Sequence, residues 1–312
     1  MSHGGSCPPA AVCCREAGPR ALAVDVGGTK LAAGVVDAAG RLRARASTPT
    51  PLGDDAEEVF GALARLLARF APYDAYTVCG VGCGGPMTAN AELVSPLNLV
   101  AWRRFPLRAR LAELSGLPVE VDNDAKALAL AEGWVGAAAG QPNYMAMVVS
   151  TGVGGGIVLD GRLLSGASGN AGHVGHVVVD TPGHDPVGRL AAHVRGVLEA
   201  EASGTAIAVH TGRPAAEASS AEIARVGTLV GRAAGSVANL LDLPLVVVAG
   251  SVALGFGEPF FTAAQAEMDR VCRLGYSLGA RIEPAGCGDE GPLIGAGAVG
   301  LRYHGVDIGI AW

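Results

Sequence analysis

The sequence predicts an α/β fold built in two halves, and three observations carry that expectation. The chain has 312 residues, half of them apolar, only 4% aromatic, with 47 glycines. That is the composition of packed α/β structure rather than of a disordered or fibrous chain, and the length exceeds what one ordinary core holds. An apolar run, a Gly-rich turn and a second apolar run occur twice, at 21–37 and at 144–160. Each of these units is followed by segments with apolar residues at helical spacing.

The elements follow in order. ALAVDV (21–26) reads as a buried strand, Gly27 and Gly28 as its turn, and 31–37 as the returning strand. Ala38, Ala39 and Gly40 turn the chain into a third strand at 41–47, which completes an antiparallel meander. Asp54 and Asp55 are placed to cap a helix carrying Val59, Leu63, Leu66, Leu67 and Phe70 on one face. TVCGVG (77–82) is a further strand, 105–115 a helix, and PVEVDND a strand ending at Asn123, with a helix beginning near Asp124 and running through ALALAE. In the second half, strands are expected at 144–149 and 156–160, around the run Ser150–Gly156. A long helix is expected over 221–241, a strand over 244–249 running into Gly250 and Ser251, and a last helix over 293–302. The expected division is a loose tail at 1–20, a smaller α/β domain at 21–122 and a larger one at 123–292, with 293–312 returning to the first.

Bulk properties exclude several function classes. Net charge is -6 with no basic run, so a nucleic-acid partner is not expected. Residues 1–20 lack an apolar core of the kind a secretory signal needs, and the longest apolar stretches are too short and Gly-interrupted to span a bilayer. Seven cysteines, an odd number in no disulfide spacing, read as reduced thiols of a cytoplasmic protein. Lys occurs only at Lys30 and Lys126; the bias to Ala, Gly, Val and Arg is what GC-rich codons produce in a high-GC bacterium.

Five segments can carry chemistry. In Asp25-Val26-Gly27-Gly28-Thr29-Lys30, glycines let backbone N–H groups approach phosphate oxygens, Thr29 adds a hydroxyl, and Asp25 can hold Mg²⁺ through water. It is neither GxxxxGK[ST] nor GxGxxG, and an ordinary β-turn also fits it. The run Thr151-Gly152-Val153-Gly154-Gly155-Gly156 mirrors it in the second half, although Gly-rich hairpins are common. In Val121-Asp122-Asn123-Asp124, a strand ends where a helix starts at a carboxylate. Asp124 can be a simple N-cap, or an ionised base that orients a hydroxyl for phosphoryl transfer. In Gly169–His176, His173 and His176 can be metal ligands, sugar partners or packed imidazoles. Ala249-Gly250-Ser251-Val252 is a strand end that can approach adenosine.

In this order the segments resemble the ROK family (repressor, open reading frame, kinase), its glucokinases above all, over about residues 21–300. DVGGTK and STGVGGG look like the family's two phosphate motifs, and DNDA like the segment in which Asn123 binds sugar hydroxyls and Asp124 is the base. SPLNLVAW (95–102) is similar to the sugar-contacting stretch, with Asn98 as the contact. GNAGHVGH matches the sugar-and-zinc segment, and LEAEASGTA (198–206) the stretch in which Glu199 meets the sugar. The resemblance implies an actin-like, ribonuclease-H-like pair of α/β domains closing on Mg²⁺-ATP and a sugar, phosphorylation at a 6-hydroxyl, and a homodimer.

The sequence departs from the family twice. His173 stands where the family usually has a Glu that contacts sugar hydroxyls, and the thiolate positions of the family's zinc site fall on Leu190, Ala192 and Val197. A structural zinc is therefore not expected, since four N/S ligands are needed and His176 alone remains, with His184 and His193 nearby. The loss of a charged acceptor at His173 points to a modified hexose; amino-sugar kinases, kanosamine 6-kinases of antibiotic pathways among them, share this likeness, with glucose and cyclitols as alternatives. A sugar-responsive repressor of the same family carries an added helix-turn-helix, for which the first 20 residues show no helical periodicity. A sugar-binding module without activity is the other rival, against which Asp124 argues.

Overall fold

The computed structural model describes residues 18–179 and 196–311. Its first sheet is a meander of β1 (Arg20–Val26), β2 (Lys30–Asp37) and β3 (Leu42–Pro49). After α1 (Ala56–Leu67) comes β4 (Val78–Cys83), which pairs parallel to β1; after α2 (Leu107–Ser115) comes β5 (Val119–Asn123), parallel to β4. Helix α3 (Asp124–Trp134) then leads into the second sheet through β6 (Tyr144–Val149), β7 (Val153–Leu159) and β8 (Arg162–Leu163). Helices α4 (Leu198–Ala202), α5 (Gly204–Thr211) and α6 (Ser220–Leu241) precede β9 (Leu245–Ala249). Helices α7 (Ser251–Phe256) and α8 (Glu258–Val271), strand β10 (Arg281–Pro284) and α9 (Gly291–Leu301) complete the order.

The strand orders are β3-β2-β1-β4-β5 and β10-β9-β6-β7-β8. Read from opposite ends they are the same: a three-stranded antiparallel meander followed by two parallel strands. The repeat seen in the sequence is thus a repeat of topology. Because β1, β4, β5, β6 and β9 all end toward one crevice, the loops that follow them meet there, the usual place for a ligand in an open α/β sheet.

Two helices lie between the sheets. Leu293, Ala296 and Leu301 of α9 pack with Ala21, Ala23, Ala32, Val36 and Val78 of the first sheet. Ala298 and Val299 of the same helix pack with Ala127–Leu130 of α3 and with Tyr144, Ala146 and Val247 of the second sheet. The outer faces are covered by α1 on one side and by α6 and α8 on the other. Asp55 caps α1 by accepting from Glu57 N and Glu58 N, as its position before the apolar stripe predicts.

Two expectations need correction. The glycine run of the second motif is not a loop between strands: β7 begins at Val153 and includes Gly154–Gly156. Its glycines serve packing, since a Cβ on Gly156 would stand 2.7 Å from the Ala129 Cβ and 2.8 Å from the Ala125 carbonyl oxygen of α3. Helices also occupy 198–211 and 251–271, and strand β10 follows, none of which the periodicity had indicated. The expected tail lies outside the described residues up to residue 17, and β1 takes in Arg20.

Candidate active site

A cleft of about 570 Å³ runs between the sheets, and every site residue singled out from the sequence lines it. Asp25, Gly27, Gly28, Thr29 and Lys30 follow or end β1, and Thr151, Gly152 and Gly154 occupy the matching turn and start of β7. Gly250 and Ser251 follow β9; Asn98 comes from the loop after β4; Asn123 and Asp124 lie at the β5–α3 junction; His173, His176 and Glu199 close the far wall.

The first turn is braced. Gly27 N donates to the Lys30 carbonyl (3.0 Å), and the Thr50 hydroxyl donates to the Gly27 carbonyl (2.8 Å). The Gly27 N–H is therefore engaged within the turn, which leaves the Gly28 and Thr29 N–H groups as the turn's open donors toward the cleft. Gly28 has no room for a side chain: its Cβ would sit 2.6 Å from the Asn98 carbonyl oxygen and 2.7 Å from the Asn98 Cβ. On the opposite side, the Ser150 and Ser251 hydroxyls lie 3.0 Å apart, tying the second turn to the start of α7. Gly250 takes φ +102°, a region glycine favours.

The β5–α3 junction resolves which residue caps the helix. Asn123 does, its Oδ1 accepting from Ala125 N (3.0 Å) and Lys126 N (3.3 Å). Asp124 is the first helical residue; its Oδ1 accepts from Ala125 N (2.8 Å), and its Oδ2 lies 3.9 Å from where a Cβ on Gly84 would stand. The capping role thus falls to Asn123, whose Nδ2 remains as a donor 3.4 Å from the corresponding point on Gly85.

Two carboxylates share the floor. A Cβ on Gly82 would stand 3.6 Å from the Asp124 Cα and 3.8 Å from Asp25 Oδ1, so glycine in β4 lets the two acids face each other. Burial first, then the Asp124 charge, push the Asp25 carboxyl up to about 7, against a lowering by Lys30. Burial likewise raises Asp124, opposed by the Ala125 N–H and the His173 charge, with Glu199 adding to the rise.

A testable consequence is a pH-dependent stability. A carboxyl raised from 3.8 to about 7 on folding contributes stability that is full below 3.8 and is lost as pH rises through about 7. Asp25→Asn is therefore expected to raise the Tm of the ligand-free protein most at pH 8, with a gain that shrinks toward pH 5. Equal Tm shifts across that range would show that Asp25 titrates normally.

On the far wall, Glu199 Oε2 accepts from Val153 N (2.8 Å), while Oε1 is buried without a hydrogen-bond partner among the described residues. A buried carboxylate oxygen left open in a cleft is an acceptor awaiting a ligand donor. Gly152 keeps this corner compact, since its Cβ would lie 2.8 Å from Glu199 Oε2 and 3.3 Å from Asn98 Nδ2. The His173 ring lies beside Gly85, with Cε1 and Nε2 each 3.7 Å from the position of a Cβ there; His176 is exposed at the rim, its ring centroid 6.2 Å from that of His173. Of the residues at the family's thiolate positions, Val197 is fully buried, and Leu190 and Ala192, like the nearby His184 and His193, lie outside the described residues.

The cleft also takes in residues that sequence reasoning passed over. Gly84 and Gly85 follow β4, and their Gly-Gly-Pro stretch was the available signal. Leu254, Asp289 and Pro292 reach the cleft from elements far apart in sequence, and nothing local marks them. Lys30 also lines an adjoining cavity of about 380 Å³ with Arg45, Ser47 and Asp289.

Fold and cleft together define a two-sheet α/β protein of the actin-like ATPase class. The family model described as "ROK family" matches residues 21–302, and the chain belongs to that family. An N-acetylmannosamine kinase of Yersinia pseudotuberculosis is 37% identical over 257 residues, covering 76% of this chain and 85% of the relative. A ROK hexokinase from Thermus thermophilus superimposes with a TM-score of 0.75 at 32% identity, covering 91% of this chain and 99% of its own. A ROK glucokinase from Streptomyces griseus, solved with glucose and AMPPNP, gives 0.76 at 27% identity with the same coverage. The fold matched by these structures is the one expected from the sequence.

Proposed function

We propose that the protein is an ATP-dependent sugar kinase that phosphorylates the 6-hydroxyl of a hexose or amino-hexose, with Asp124 as general base. The supporting observation is that Asp124 is released from capping by Asn123 and sits on the cleft floor between two turns of matching topology. Asp124 orients the hydroxyl and takes its proton late in a loose transition state. Asn98, Asn123, His173 and Glu199 surround the space above it, and Glu199 Oε1 supplies an open acceptor. Gly28, Thr29, Thr151, Gly152 and Gly154 line the phosphate region and Gly250 and Ser251 the nucleoside end. Asp25, a carboxylate whose burial and charged neighbour favour the protonated form, suits a Mg²⁺ ion carried by ATP, whose charge would restore its ionisation. When bound, that ion neutralises charge on the phosphates.

The relatives are named for different sugars, N-acetylmannosamine for one and glucose for the other. The substrate proposal therefore rests on His173, whose imidazole, when uncharged, offers one acceptor and one donor where a carboxylate offers charged acceptors. Losing a charged acceptor costs roughly 1.5–3 kcal/mol against a sugar that needs it. We expect kanosamine or another amino-hexose to be preferred over glucose. An ADP-release screen against glucose, mannose, N-acetylmannosamine, kanosamine and cyclitols tests the activity. Measuring kcat/KM for glucose and kanosamine in wild type and His173→Glu tests the contact. A tenfold preference for glucose, with a ratio that the substitution barely moves, would remove His173 from specificity.

A further inference from the structure

The segment 169–173 that carries His173 is held from three sides. Lys126 of α3, buried and paired with Asp122 (2.7 Å), donates to the Gly169 carbonyl (3.2 Å). Gly172, at φ +104°, lies so close to the Gly155 carbonyl of β7 that no side chain fits between them. The third hold crosses the cleft: the Asn170 Oδ1 accepts from Met87 N (2.9 Å), and its Nδ2 donates to the Met87 carbonyl (2.9 Å). Met87 belongs to the loop that leaves β4 of the first sheet, so one amide side chain clamps the two walls together. The same Nδ2 lies 3.3 Å from the Ser168 carbonyl and 3.2 Å from its hydroxyl.

Asn170 also meets His173 directly, since its main-chain carbonyl lies 2.9 Å from His173 Nδ1. A carbonyl can only accept, so the bond requires a proton on Nδ1. In the neutral ring, Nε2 then carries a lone pair, and Nε2 lies with Cε1 on the edge of the ring that faces Gly85 and the cleft, each 3.7 Å from where a Cβ on Gly85 would stand.

We propose that Asn170 is a positioning residue for specificity: by clamping Met87 and bonding His173 Nδ1, it presents His173 Nε2 to the sugar as an acceptor only. This deepens the sugar-kinase reading and rests on it for the identity of the ligand. The class selected is a sugar with a donor, hydroxyl or amino N–H, at the ring position facing Gly85. Without the clamp the main-chain carbonyl remains, but nothing ties its segment to the opposite wall, and the ring is freed to rotate or change tautomer.

Two measurements test this, one of them independent of activity. In protein labelled with ¹⁵N-histidine, the His173 signals, assigned by their loss in His173→Gln, should show the Nδ1–H form in wild type and a tautomer mixture in Asn170→Ala. Kinetically, Asn170→Ala should raise the sugar KM about fivefold, the scale of one neutral hydrogen bond. The KM for ATP should stay within about twofold, as expected where no nucleotide contact is lost. In a His173→Ala background the same substitution should change the sugar KM by less than about twofold, because the two act as one unit. Asn170→Asp, which keeps the bond from Met87 N and replaces the other with a carboxylate–carbonyl contact, serves if the alanine variant folds poorly. An Nε2–H form in wild type, or equal losses in both backgrounds, overturns the proposal. If wild type phosphorylates no sugar, the kinase reading fails, and the ¹⁵N signals still decide the role of Asn170.

Discussion

Asp124→Asn should lower kcat by at least ~10²-fold, the scale of a positioned acid–base group, while the fold and the KM for ATP are retained. The substitution keeps shape and keeps an oxygen to accept from Ala125 N, and Asn123 still caps α3, so helix geometry has no reason to change. Thermal stability should hold or rise slightly, because an acid whose burial disfavours its charged form has been neutralised. The same burial makes wild-type activity fall on acidification at a pH where an exposed aspartate would still be ionised. A variant keeping more than about a tenth of wild-type kcat, well short of the usual loss of a general base, would exclude Asp124 from that role.

Gly28→Val carries the second large effect. The new Cβ would meet the Asn98 carbonyl oxygen and Cβ at 2.6 and 2.7 Å, and the branched methyls would add further bulk to a turn that lines the cleft. Overpacking of this kind costs about 1–3 kcal/mol, or roughly 5–150-fold in a binding constant. The KM for ATP should rise on that scale. Because Asn98 is displaced, the sugar KM should rise with it, which distinguishes this turn from one that serves the nucleotide alone. Steady-state kinetics with both substrates varied gives the answer, and an unchanged KM for ATP would mean that the turn does not face phosphate.

What the sequence disclosed was whatever is local. The strand–turn–strand units, the Asp55 cap, the apolar stripe of α1 and the β5–α3 junction each depend on neighbours a few residues apart. The helices at 251–271 were hidden because Gly255, Gly257 and Pro259 imitate a loop. In the structure Gly257, at φ +61°, ends α7, and Pro259 sits in the first turn of α8, where its missing N–H costs nothing. The second glycine run looked like a loop for the opposite reason, since its lack of side chains serves the approach of α3 to β7. Within the cleft, single residues were legible because they end strands, but their connections were not. That Asn123 rather than Asp124 caps α3 depends on hydrogen-bond geometry, and the bond between Asn170 and Met87 joins residues that are 83 positions apart.

The placement of α9 between the sheets has a consequence for how the protein is made. Ala21, Ala23, Val36 and Val78 leave the ribosome well before the side chains that cover them, Leu293, Ala296 and Leu301. The first sheet can form its strand pairs early but must hold an apolar face open to water, or to a chaperone, until residue 301 has been synthesised. Contacts of such long sequence separation slow folding and prolong the interval in which exposed surface can aggregate. A chain cut short before residue 291 would keep that face open permanently, so α9 decides whether the apolar face of the first sheet is covered.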